Sequence, residues 1–198
     1  MRSKGMVIFM SKQILLQAAV HELLHHGLPS LRVSALAQRM QLPISRVSAY
    51  FPGGDWQLRM DAVEYAGKTW VEQIRCGVRA QKTAREKLSL LTRAYALGSR
   101  DFPAALDSYL DLWKSAREGD EELRRRLCSL YQYYADQFVS IAREAGARTA
   151  GPECAAFAQW MTLLSDMLHL QRMLGNSVDF AVMGRLLERL AAAALLEE

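Results

Sequence analysis

Chain breaks are scarce in this sequence: five prolines and twelve glycines interrupt 198 residues. Between them, apolar side chains return every three or four positions, the spacing that gathers them on one face of an α-helix. No segment alternates convincingly in the two-residue rhythm of a strand. The chain is therefore expected to be all-α. Its apolar share of 51% and charged share of 23% suit a packed core in one or two domains.

Stripes and punctuation divide the chain into about nine helices. The first runs from Ser11 to His26, with Ile14, Leu15, Ala18, Ala19, Leu23 and Leu24 on one face. Ser11 can cap its start, and Gly27 can take the left-handed conformation that ends it. Two short helices follow, about 32–40 and 44–50. The first turns Val33, Leu36, Ala37 and Met40 inward, and the second buries Ile44, Val47 and Phe51. Pro52-Gly53-Gly54 then breaks the chain. A long helix, about 55–78, is expected to link the N-terminal part to the rest. Further helices are predicted at about 83–99, 102–117, 120–145, 152–174 and 179–196. The spacing divides the chain at 1–57 and 58–198.

Charge is distributed unevenly. Residues 1–60 hold seven Lys and Arg against Glu22 and Asp55, a net +5, while the remainder is −1. A basic N-terminal quarter points to a polyanion at that end. The longest apolar runs fall short of the ~18 residues of a membrane span. The opening apolar stretch, Met6 to Met10, is shorter than the roughly 7–15 residues of a signal-peptide core. Three widely spaced cysteines (Cys76, Cys128 and Cys154) read as reduced thiols. These features together predict a cytoplasmic protein with no membrane partner.

One catalytic pattern needs weighing. His21 to His25 reads HELLH, which puts two imidazoles on one helical face with a glutamate between them, as in zinc hydrolases. Zinc needs a third protein ligand, and the extended pattern would call for glycine at 28 and histidine at 31. Leu28 and Leu31 stand there instead. No other catalytic set emerges, so the expectation is a non-enzyme with no metal and no cofactor.

The N-terminal segments carry a stronger pattern. Leu36, Ala37, Leu42, Val47 and Phe51 are spaced to hold two short helices at a steep angle, so that the second can enter a DNA major groove. The frame "ILLQAAVHELLHHG", "VSALAQRMQL", "YFPGGDWQL" over residues 11–60 resembles the tetracycline-repressor (TetR) family of bacterial transcription regulators. The helical layout of the rest is similar to that family's ligand domain. Several positions depart from the family pattern. Ser48 stands where an aromatic is common, Gly54 where a lysine would grip phosphate, Arg32 where Ser or Thr would cap a helix, and Gln41 where the turn has glycine.

The candidate contacts to double-stranded operator DNA are Lys12, Arg32, Ser34, Ser45, Arg46, Ser48 and Tyr50. Arg46 has the fork geometry to bond guanine, and the hydroxyls can bond phosphate or base edges. The C-terminal two-thirds is rich in large side chains that suit a small-molecule pocket: Tyr95, Tyr109, Trp113, Tyr131, Tyr134, Phe138, Trp160, Met161 and Met167. The resemblance implies a pocket for an apolar or aromatic effector, assigned to Tyr95, Tyr109, Trp113, Tyr134, Phe138 and Met161. It also implies a homodimer built on the last two helices. There, small or slim residues (Ala155, Ala158, Thr162 and Ser165; Gly184, Leu187, Ala191 and Ala194) permit close approach.

The function expected is a ligand-responsive regulator, released from its operator by a small molecule. The alternative is a protein of the same fold that no longer binds DNA and holds a lipid or other hydrophobic ligand. "FPGGDWQL" is faintly similar to lipid-binding proteins of ubiquinone biosynthesis.

Overall fold

The computed structural model describes residues 11–97, 103–148 and 152–196. Among these residues there are nine α-helices and no strand: α1 (Lys12–His26), α2 (Val33–Arg39), α3 (Ile44–Ser48), α4 (Gly54–Arg79), α5 (Ala84–Leu97), α6 (Pro103–Arg117), α7 (Glu121–Glu144), α8 (Pro152–Met173) and α9 (Phe180–Leu195). A single turn of 3-10 helix, Leu28–Ser30, precedes α2. The fold is all-α, as the periodicity predicts.

Local chemistry sets most boundaries. The Ser11 hydroxyl accepts from the Ile14 amide, and Gly27 closes α1 at φ 72° with its N–H on the Leu23 carbonyl. Thr83 and Glu86 cap α5 reciprocally, each side chain accepting from the other's amide. Asp120 caps α7 through the Leu123 amide, and Asp179 caps α9 through those of Ala181 and Val182. Pro103 opens α6 at its first position, where no amide hydrogen is needed.

The chain forms two compact units that divide between Ala66 and Gly67, so α4 contributes to both. In the N-terminal unit Leu15, Ala19, Leu23, Leu36, Ala37, Val47, Phe51 and Leu58 are buried. One expected core residue is not: Ile44 is 56% exposed at the start of α3. A helix of five residues buries one stripe only, and Val47, followed by Phe51, takes it.

In the C-terminal unit, α5 packs against α7, α8 and α9. Leu91, Tyr95, Phe138, Ile141, Ala158, Met161 and Leu187 are buried in one core. Here a second expectation is corrected. Ala158, Gly184, Leu187 and Ala191 are buried within the single chain, so they are not an open face for a partner. Small side chains let α8 and α9 sit close to α5 instead. Of the remainder, Ala155 and Ala194 are exposed and Thr162 is half-buried; the Ser165 side chain lies outside the described set.

Candidate functional site

In the N-terminal unit, α2 and α3 form a helix-turn-helix. The Leu42 amide donates to the Ala37 carbonyl at 2.9 Å, and the Met40 amide to the Leu36 carbonyl at 3.0 Å. Gln41 passes through the turn at φ 54°, the left-handed conformation that glycine adopts without strain. The unusual Arg32 before α2 also has an explanation. Asp55, from the first turn of α4, accepts from the Val33 amide at 2.7 Å and so caps α2 from a distance. Arg59 donates to the Leu31 carbonyl at 3.1 Å, tying α4 to the same loop. Gly54 lies at φ 66° and donates to the Phe51 carbonyl at 2.9 Å. A lysine there would strain the backbone.

Burial of Val47 and Phe51 turns the other side of α3 outward. Ser45 and Arg46 are exposed, as is Ser34 on α2; Ser48 and Tyr50 are both half-buried in the same stretch. The unit's cations are not equally available. Lys12 pairs with Asp61 at 2.7 Å and lies 5.5 Å from the Phe51 ring centroid. Arg39 is paired with Glu22. Arg32 and Arg46 are exposed and make no ion pair with any described residue. The available positive charge therefore sits at the start of α2 and on α3.

HELLH has a structural use. Glu22 is buried and takes the Arg39 guanidinium, joining α1 to α2. His21 and His25 are exposed, with ring centroids 4.6 Å apart. No group of three His, Cys, Asp or Glu among the described residues is placed to hold a metal.

The C-terminal unit contains an open cleft of about 460 Å³ between α6, α7 and α8. Its lining is mostly apolar or aromatic: Trp113 and Ala116 from α6, Leu127, Cys128, Tyr131 and Ala135 from α7, and Leu163 from α8. Arg124, Gln132, Gln159 and Thr162 add polar atoms. Arg124 is paired with Glu121. The Tyr131 hydroxyl donates to Asp166 Oδ2 at 2.7 Å. Burial pushes the Asp166 carboxyl up to about 6, and the Tyr131 hydrogen bond opposes part of that rise.

Of the six side chains assigned to a pocket, Trp113 lines this cleft. Tyr95, Phe138 and Met161 are sealed in the core. Burial also pushes the Tyr95 phenol up, and its hydroxyl donates to the Tyr134 backbone carbonyl at 3.0 Å. Tyr134 packs against the α4 backbone: a Cβ added at Gly67 would collide with its hydroxyl oxygen. The Tyr109 side chain lies outside the described set. Tyr131 reaches the cleft, whereas its neighbours Tyr133 and Tyr134 are not among its lining residues. Helical spacing on α7 alone does not distinguish the three.

No protein-family model matches the chain, and no curated protein matches it. Solved structures do. A TetR-family transcriptional regulator from Cytophaga hutchinsonii aligns at a TM-score of 0.65 and 17% identity, over 94% of this chain and 95% of that one. A TetR transcription regulator from Haloarcula marismortui gives 0.66 at 16%, over 92% and 97%. The transcriptional regulator FadR from Bacillus subtilis, solved in complex with stearoyl-CoA, gives 0.62 at 17%, over 93% and 99%. The chain has the fold of the TetR-type transcriptional regulators over nearly its whole length.

Proposed function

We propose that this protein is a ligand-responsive, DNA-binding transcriptional regulator that represses by occupying an operator and leaves it when a small molecule binds. The observation that carries the reading is the helix-turn-helix whose outward side holds the exposed, unpaired Arg32 and Arg46 beside Ser34 and Ser45. We assign DNA contact to these four, with Ser48 and Tyr50 at the edge and Lys12 secondary because Asp61 holds its charge. The division of labour follows the two units: DNA at the N-terminal one, effector and dimer contacts at the C-terminal one. The cleft between α6, α7 and α8 is the proposed effector site. That a regulator of this fold was solved with stearoyl-CoA supports giving the cleft to a small molecule.

A homodimer is part of the proposal. Trp160, Leu163 and Met167 on α8, and Val182, Leu186 and Leu190 on α9, are large apolar side chains left exposed. The α9 set repeats every four residues along one stripe. Exposed apolar surface of this kind fits a two-fold pairing with a second copy. Ligand and DNA would then be coupled by linkage, each weakening the other's binding by the same factor.

A gel shift of the purified protein on DNA flanking its own gene tests the reading. The expected result is a sequence-specific complex that rising salt dissolves. Absence of any complex at low salt would return the protein to the alternative of a ligand carrier without DNA.

A further inference from the structure

Ile44 opens α3 with a large apolar side chain that the core does not take: it is 56% exposed, whereas Val47 and Phe51 are sealed. One exposed apolar residue on a surface is ordinary. Its place is what matters here. Ile44 is the first residue of the second helix of a helix-turn-helix, and the N-terminal residues of that helix are the ones that meet base edges in a major groove.

Side chains on a helix turn by about 100° per residue, and the burial of Val47 fixes where the others point. Ser45 lies nearly opposite Val47, with Ile44 and Arg46 flanking it on either side, and all three are exposed. The entry to the helix is stiff. Pro43 precedes Ile44 at φ −58°, and its carbonyl accepts from the Arg46 amide at 3.0 Å. Ile44 is β-branched, so its side chain keeps few rotamers in a helix. A contact made by Ile44 therefore orders little that is not ordered already. The first turn of α3 also carries no acid to repel phosphate.

In the major groove only thymine presents an apolar group, its C5 methyl; adenine, guanine and cytosine present donors and acceptors. An isoleucine can bury that methyl against its own. Against any other base it would cover a donor or acceptor and leave it unpaired, which is costly. We propose that Ile44 is a specificity-determining residue that reads a thymine methyl in each operator half-site, on the opposite flank of Ser45 from Arg46. The inference rests on the DNA-binding reading and adds a base that α3 selects.

The DNA flanking the protein's own gene, prepared once with thymine and once with uracil throughout, gives two probes that differ only in the C5 methyl. The parent is expected to bind the thymine probe more tightly, by about fourfold for each contacted methyl, the worth of one buried methyl-sized group. That comparison needs no variant. Ile44→Val, which keeps the branch, should retain part of the ratio, and Ile44→Ala should bring it close to one; thermal melts check that both are folded. Single uracils placed along the half-site should localise the effect to one position. Equal affinity of the parent for both probes would overturn the proposal, as would a thymine preference that Ile44→Ala leaves intact. Neither outcome touches the regulator reading. That reading fails if the parent binds neither probe, and this inference then falls with it.

Discussion

Gly67 sits inside a long helix, where alanine would ordinarily stabilise by up to about 1 kcal/mol. Here the added methyl would run into the Tyr134 hydroxyl oxygen. Tyr134 is also held by its backbone, whose carbonyl accepts from Tyr95. The clash should outweigh propensity, so Gly67→Ala is expected to destabilise by about 1–3 kcal/mol in urea unfolding. Removing the hydroxyl as well, with Tyr134→Phe, should restore part of the loss. A gain in stability for Gly67→Ala alone would contradict the packing described.

Asp166 gives a pH-dependent test at the same scale. Its carboxyl titrates near 3.8 when unfolded and at about 6 in the fold. Between those values the folded protein keeps a proton that the unfolded chain has released, so this group's contribution falls as pH rises through the window. Above about pH 6 the full penalty applies, up to about 3 kcal/mol. Asp166→Asn should therefore be more stable than the parent at neutral pH, with the difference vanishing below about pH 4. Equal stability of parent and variant in urea unfolding at neutral pH would show that the charge is not buried as described.

At the scale of elements, the sequence was most legible where a helix ends by local means. Ser11, Gly27, Asp120 and Asp179 are neighbours of the amides and carbonyls they satisfy, and all four act as caps or stops. Helix α2 lacks such a signal because its cap, Asp55, comes from α4, 22 residues away. Asp55→Ala should cost about 1 kcal/mol and loosen the start of α2, read as faster amide exchange there.

The packing of α8 and α9 was harder to read, since small residues permit close approach to any helix, whether of the same chain or another. Ala158 and Ala191 are buried within the chain, while Leu186 and Leu190 remain exposed. Paired substitution Leu186→Glu with Leu190→Glu should give a folded monomer by sedimentation. A dimer surviving that change would move the interface elsewhere.

For the whole molecule, the all-α architecture followed from helical periodicity, but the candidate sites were only partly legible. The helix-turn-helix was recognisable because the residues that pack it together lie close in sequence, from Leu36 to Phe51. Which cations stand available was not, because the partners of Lys12 and Arg39 are brought in from Asp61 and Glu22 by folding. The cleft was hidden for a related reason: aromatic side chains are as common in a core as in a pocket, and Tyr95 and Phe138 went to the core. Asp166 gave no signal in sequence at all, since its meaning depends on Tyr131 lying 35 residues away.

If Arg32 and Arg46 give this fold its hold on DNA, the salt dependence of operator affinity should differ between the parent and Arg32→Ala with Arg46→Ala. The parent is expected to form a specific complex at low salt. The double variant is expected to bind more weakly and with a shallower slope of log affinity against log salt, reduced by about one for each phosphate no longer neutralised. Parent and variant binding with the same affinity and slope, or neither binding at low salt, would contradict this.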